Sequence, residues 1–136
     1  MITIAEMEEQ AHSYLSASRI LSQAAHAKYD AAAYLCGYAV EIALKVRICR
    51  TLGWPEFPTT RGDFQNYASF KVHNLETLLH LSGRELQLKA DAALLTDWSV
   101  VRDWNPEQRY APLGTKTAGH AEAMTSAAEK VLLFLL

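Results

Sequence analysis

The chain has 136 residues, of which 50% are hydrophobic, and a formal net charge of −2. This length predicts a single domain over residues 1–136 with a substantial hydrophobic core. The small net charge gives no overall reason to expect binding to nucleic acid or to an acidic membrane, and it leaves room for a local basic patch. The N-terminus MITIAEMEEQ is too acidic for a signal peptide, and the final VLLFLL is too short to span a bilayer. We therefore expect a cytoplasmic protein that does not associate with membranes.

The two cysteines, Cys36 and Cys49, fall on one predicted helix. Because a helix rises about 1.5 Å per residue, they should be roughly 20 Å apart, which is too far for a disulfide. We expect two core thiols and a reducing compartment.

The first predicted helix covers residues 4–25. Apolar side chains recur along it at helical spacing, and Thr3 with Glu6 can form a capping box at its start. A short loop joins this helix to the next long one, so the two are predicted to pack as an antiparallel hairpin.

The second predicted helix covers residues 31–50, with Asp30 as its expected N-cap and Gly53 at its end. Apolar residues occur on all of its faces, which is typical of a central helix covered by its neighbours. Glu41 then lies where an unpaired charge is costly, so we expect it to have a partner. Lys45, one turn further along, is the nearest candidate, and an arginine from the late segment or a hydrogen bond from His73 are the alternatives.

The longest irregular stretch covers residues 54–72. Its aromatic residues are predicted to pin the loop onto the bundle, although a role in stacking on a ligand stays open. These residues are Phe57, Phe64, Tyr67 and Phe70.

Three further helices are predicted over residues 74–81, 84–104 and 115–136. Asn74 is the expected N-cap of the first, and Asn105-Pro106 ends the second. Valine and isoleucine never alternate with polar residues over a useful length, so strands are not predicted. The fold class expected is all-α, an antiparallel bundle of four to five helices.

Two segments carry groups that suit a binding site. In FKVHNLETLL, His73 stands just before a helix start and is either a capping or core-edge residue or a phosphate-facing group. In WSVVRDWNPEQRY, Arg102, Arg109 and Tyr110 lie around a helix end. One of these arginines could neutralise Glu41, and plain structural ion pairs are the alternative.

Together these segments resemble the HEPN family, nucleotide-binding domains named for their occurrence in higher eukaryotes and prokaryotes. In the central helix the resemblance is carried by Ala32, Ala33, Tyr34, Tyr38, Ala39, Glu41, Leu44 and Lys45. A His-x-Leu helix start follows, here His73–Leu75, and the late W…RY segment is also similar to that of bacterial members. The resemblance covers essentially the whole chain and implies an HEPN-like helical bundle.

Many HEPN proteins are metal-independent ribonucleases, and several are toxins paired with a nucleotidyltransferase antitoxin. Their nuclease motif is an arginine followed, after four to six residues, by a histidine. Arg102 matches the arginine and is the candidate catalytic residue, but Gln108 or Arg109 stands where the histidine would be. Glutamine does not titrate and arginine stays protonated, so neither replaces histidine in proton transfer. The resemblance therefore implies at most slow cleavage. Tyr110 loosely matches a tyrosine that toxin members carry for modification by adenylyl transfer.

The resemblance, together with these residues, leaves three functions open. The first is an RNA- or nucleotide-binding module of a toxin–antitoxin or defence-type system. The second is an active ribonuclease whose proton-transfer residue has moved, with His73 and His120 as candidates. The third is a structural dimer or adaptor without enzymatic activity. The ligand-binding candidates are Glu41, Lys45, His73, Arg102, Arg109 and Tyr110.

The sequence shows neither zinc-like ligand spacing nor a glycine-rich phosphate loop, so we expect no metal and no cofactor. Because HEPN relatives commonly pair, the resemblance implies a homodimer, and a nucleotidyltransferase is the partner protein that it suggests.

Overall fold

The computed structural model describes residues 1–136 and is an all-α helical bundle, which confirms the predicted fold class. Its helices are α1 (Ile4–Leu21), α2 (Tyr29–Leu52), α3 (Leu75–Leu81), α4 (Glu85–Ala90), α5 (Ala92–Val101) and α6 (Ala118–Leu135). Short 3-10 helices span Asp63–Gln65, Ala68–Phe70 and Pro106–Tyr110. Two short strands, β1 (Ile2–Thr3) and β2 (Glu56–Phe57), pair antiparallel.

Helix α2 is the central helix, as predicted. It runs antiparallel to α1, because Ser18 Oγ donates to Ala32 O near one end while Arg50 donates to Glu8 near the other. Thirteen of its residues are buried, which confirms the prediction that it is covered on several faces. They are Ala32, Ala33, Cys36, Gly37, Ala39, Val40, Glu41, Ile42, Ala43, Leu44, Val46, Ile48 and Cys49.

Helix α6 packs against α2 beside α1 and runs parallel to α2; Ser18 of α1 and Thr125 of α6 are joined by a hydrogen bond. Cys36 Sγ donates to Met124 O, and Arg47 Nε donates to Leu135 O eleven residues further along both helices. Burial raises the pKa of the Cys36 thiol to about 12 and that of Cys49 to about 11. Both thiols are free and buried, so the prediction of core cysteines is confirmed.

The predicted helix starts are confirmed at two positions and wrong at a third. Thr3 and Glu6 form the capping box of α1, and Asn74 caps α3 through Thr77 N. Asp30 is not the N-cap of α2, because the helix already begins one residue earlier. Its carboxylate instead accepts backbone N–H groups of Gly114 and Lys116 and so holds the loop before α6.

The predicted helix over residues 84–104 is divided at Asp91. Its backbone is extended there, and its carboxylate accepts the N–H groups of Ala93 and Leu94. An aspartate that caps a new helix competes with continuation of the old one, so α4 and α5 are separate. The first predicted helix also ends earlier than expected, at Leu21.

Of the four aromatic residues predicted to pin the segment 54–72, Phe57, Phe64 and Phe70 pack against the core, whereas Tyr67 is exposed. Phe57 is buried and packs edge-on against Phe64, while Trp54 packs edge-on against Phe70. Because this segment is anchored, the start of α3, which follows it, has a fixed position beside α2. None of the helices combines the length and apolar character that crossing a membrane requires.

Candidate functional site

Glu41 lies in the middle of α2 and is only 1% exposed. Its Oε1 accepts from Lys45 Nζ at 2.8 Å and lies 2.7 Å from His73 Nδ1. Two of the expected partners of Glu41, Lys45 and His73, therefore both contact it, and neither late arginine forms an ion pair with it. Glu41 Oε2 is buried and has no hydrogen-bond partner.

His73 follows the segment of residues 54–72 and directly precedes Asn74, the N-cap of α3. Both neighbours fix its position. A carboxylate only accepts hydrogen bonds, so an ionised Glu41 requires the proton on Nδ1. In the neutral ring, Nε2 then carries a free lone pair. The side chain of His73 is 58% exposed, so one face of the ring meets solvent while Nδ1 meets a buried acid.

A cleft of about 540 Å³ opens in front of this pair. One wall comes from α2, a second from the start of α3, and the third from the 3-10 helix Pro106–Tyr110. The lining residues are Tyr34, Tyr38, Glu41, His73, Asn74, Asn105, Pro106, Glu107 and Arg109. Burial and then the Glu41 charge raise the pKa of Tyr38, so its hydroxyl stays protonated and able to donate.

The third wall is placed by Trp104, which packs against α2 at Gly37. A Cβ atom on residue 37 would lie 2.1 Å from Trp104 Cδ1, so only glycine admits the indole there. Asn105 follows and accepts from Glu107 N, which starts the 3-10 helix. These contacts carry Arg109 to the cleft.

Arg109 is the cation of the cleft. The neighbouring Tyr110 and then Tyr34 raise its pKa further, so the guanidinium stays charged. Its guanidinium carbon lies 4.8 Å from the centre of the Tyr110 ring. Glu107 lines the same cleft and partly offsets the positive charge.

Three of the predicted ligand-binding residues, Glu41, His73 and Arg109, therefore line one cleft. Lys45 lies behind Glu41 and lines an adjoining cavity of about 290 Å³. Arg102 does not reach the cleft, because it is the exposed C-cap of α5 and its nearest charged neighbour is Asp103, 3.9 Å away.

The cleft also contains residues that the sequence analysis did not select. Tyr34 and Tyr38 lie on the same stripe of α2 as Glu41, so helical spacing could have placed them in the site. Asn105 and Glu107 come from a turn whose position depends on the Trp104 contact, and no sequence pattern marks them.

The other histidines lie elsewhere. His120 belongs to the capping box of α6, and His80 pairs with Glu85 on the outer side of α3. No group of three or more His, Cys, Asp or Glu side chains is arranged to hold a metal ion. No protein-family model, curated protein or solved structure matches this chain.

Proposed function

We propose that this chain binds RNA or a nucleotide in the cleft between α2, the start of α3 and the 3-10 helix Pro106–Tyr110. The observation that carries the proposal is a run of three adjoining cavities. The 540 Å³ cleft shares Tyr38 and His73 with the 290 Å³ cavity, and it shares Tyr34 and Arg109 with another of about 460 Å³.

Cationic side chains are spaced along this run. Lys45 and Lys71 line the 290 Å³ cavity. Arg109 lies between the 540 Å³ cleft and the 460 Å³ cavity, and Lys116 lines the 460 Å³ cavity. Spaced cations suit the successive phosphates of a strand, and contacts of this kind fix its register. An extended ligand such as single-stranded RNA fits this arrangement better than a lone phosphate.

Tyr34 and Tyr38 add rings and hydroxyl groups to the wall of the cleft. Aromatic rings beside a cationic groove can stack on unpaired bases without regard to their sequence. Glu107 lowers the positive charge locally, so the affinity should be moderate and should fall with salt.

The resemblance to HEPN proteins supports a biological role for this binding. We propose that the chain acts in a toxin–antitoxin or defence-type system, with a nucleotidyltransferase as its partner protein. Within the cleft itself, the mixed charge and the tyrosine rings favour a binding role over that of an adaptor.

The test is fluorescence anisotropy with a labelled single-stranded RNA at low salt. Arg109→Ala should weaken binding about tenfold or more, because a charged hydrogen bond to phosphate is worth about 1.5–3 kcal/mol. Arg102→Ala is the matched control, since it removes an equally charged side chain outside the cleft, and it should change the affinity little.

Unlabelled mononucleotide as competitor distinguishes a nucleotide site from an RNA site. Equal losses in the two variants would show that the cleft is not the binding surface. Absence of binding to RNA and to nucleotide at low salt would favour the structural or adaptor role.

A further inference from the structure

We infer that the 290 Å³ cavity, at one end of the run of three cavities, holds the last nucleotide of the bound strand and recognises a terminal phosphate monoester. The inference rests on the proposed binding of RNA along this run. It adds a preference for strands with a phosphorylated end, and it assigns that preference to Lys45 and Lys71.

The charges that line the three cavities are the first observation. Lys45 and Lys71 line the 290 Å³ cavity, and no aspartate or glutamate does. In the 540 Å³ cleft the cation Arg109 is opposed by two glutamates, and an aspartate lines the 460 Å³ cavity. A cavity lined by one sign of charge concentrates the opposite sign. The 290 Å³ cavity is therefore where the most negative group of a ligand is best accommodated.

The second observation is that both lysines have N–H groups left for a ligand. Lys71 is exposed and has no carboxylate partner, unlike Lys45, Lys89 and Lys130. An ammonium group has three donors, and Lys45 gives one of them to Glu41 Oε1 at 2.8 Å. Glu41 does not line this cavity, so a phosphate there meets the two ammonium groups rather than the carboxylate.

The charge of the phosphate distinguishes the end of a strand from its interior. Near pH 7 a phosphate monoester carries about 1.5–2 negative charges and three strong acceptor oxygens, whereas each internal phosphodiester carries a single charge. Two ammonium groups without an opposing acid therefore gain more from a monoester than from a diester.

The rest of the cavity suits a nucleobase. The rings of Tyr38, Phe57 and Phe64 line it, and Phe57 is buried and packs edge-on against Phe64. Rings of this kind stack on bases of any identity. Lys45 Nζ lies 5.4 Å from the centre of the Phe57 ring, so the cation adjoins the aromatic surface. The base of one nucleotide can pack on these rings while its phosphate contacts the lysines.

The volume agrees with a single nucleotide. Ligand pockets usually measure about 300–1,000 Å³, and this cavity lies at the lower end of that range. The remainder of the strand then follows the run through the 540 Å³ cleft toward Arg109.

The test is fluorescence anisotropy on single-stranded RNAs of one sequence with an internal label. They end in a 5′-hydroxyl, a 5′-phosphate or the methyl ester of that phosphate, which keeps the phosphate but has the charge of a diester. A second set carries the same changes at the 3′ end and shows which end enters the cavity. For one of the two ends, native protein should bind the phosphate about tenfold or more tighter than the hydroxyl or the methyl ester, as expected for a charge-assisted hydrogen bond.

Variants locate the source of this ratio. Lys71→Met should bring the ratio close to one, and Lys71→Arg, which keeps the charge, should retain most of it. Lys130→Met is the matched control, since this lysine of α6 is 60% exposed and lines none of the three cavities, and it should keep the full ratio. Arg109→Ala should weaken the binding of all strands alike and leave the ratio unchanged.

The failures are distinguishable. Equal affinity of the native chain for hydroxyl and phosphate at both ends overturns the recognition of the end and leaves the proposed function standing. A ratio that survives in Lys71→Met, or a methyl ester that binds as tightly as the phosphate, overturns the role given to the lysines. If none of the strands binds, the proposed function itself fails.

Discussion

Glu41 and its partners differ in their access to water. Glu41 is 1% exposed and Lys45 is 16% exposed, while more than half of the His73 side chain meets solvent. Loss of Lys45 therefore leaves a buried carboxylate with only the imidazole beside it. Loss of Glu41 leaves two groups that can turn toward water.

We predict that Lys45→Met lowers the free energy of unfolding by about 3–5 kcal/mol, the usual cost of stranding a buried charge. Glu41→Ala should also destabilise clearly, and Glu41→Gln should cost less than Lys45→Met. The measurement is urea unfolding of each variant. The double variant Glu41→Gln, Lys45→Met should recover much of the loss, because it leaves no stranded charge. Simple addition of the two single effects would contradict this account.

Residue patterns reveal one part of the site and miss another. The need of Glu41 for a cation one turn away follows from helical spacing, which predicts the contact with Lys45. His73 is also predicted from the sequence, as a ligand-binding residue. The choice between Arg102 and Arg109 does not follow from spacing. It depends on where the chain goes after α5, which is decided by the packing of Trp104.

At the scale of elements, Trp104 and α2 form the junction that shapes the cleft. The indole occupies the place where any larger residue at position 37 would carry its Cβ. Gly37→Ala should therefore displace Trp104 and the 3-10 helix that follows it.

We predict that Gly37→Ala destabilises the chain by about 1–3 kcal/mol, the range typical of overpacking, and weakens RNA binding through Arg109. Thermal unfolding and anisotropy measure the two effects. Gly119→Ala is the control, because its new Cβ has only an ordinary 3.8 Å contact with Thr117. That change in a helix should be neutral or stabilising by up to about 1 kcal/mol. Equal behaviour of the two variants would refute the role given to the Trp104 junction.

The element boundaries show why local patterns have limited reach. Periodicity predicts helix over residues 84–104, and most of these residues are helical. The break at Asp91 depends on its carboxylate capping α5 rather than pointing to solvent, and apolar periodicity does not encode that choice. Asp30 is the converse case, since a residue expected to cap a helix binds a loop more than eighty positions away.

At the scale of the whole molecule, an exposed apolar surface remains on α6. Leu133 is 78% exposed and lies beside Leu136 in a groove between α1 and α6. An isolated exposed leucine is ordinary, but it is the kind of residue that a two-fold interface would cover.

We predict that the chain forms a homodimer and that Leu133→Glu dissociates it, because a carboxylate would be buried without a partner in the interface. Sedimentation velocity at tens of micromolar protein measures the assembly. Leu86→Glu, at a leucine on α4 that is 86% exposed, is the control and should leave the dimer intact. A native chain that sediments as a monomer at this concentration would refute the prediction.

The cleft is assembled from distant segments of the chain, and for this reason its composition could not be predicted from the sequence. The class of fold follows from composition and helical periodicity alone. The meeting of Glu41, His73 and Arg109 requires the path of the 54–72 segment and the docking of Trp104, which are both tertiary events. The candidate residues could therefore be named in advance, but their grouping could not.

The contrast between the enclosed α2 and the exposed 3-10 helix has a consequence for hydrogen exchange. Amides in the middle of α2 should exchange only when the whole domain unfolds, whereas those of residues 107–110 can exchange through local opening. Exchange in α2 thus reports on global unfolding, and exchange in the 3-10 helix reports on local opening. An RNA strand held between His73 and Arg109 should slow deuterium uptake at residues 107–110 far more than a general gain in stability would. A single exchange experiment therefore distinguishes occupancy of the cleft from stiffening of the bundle.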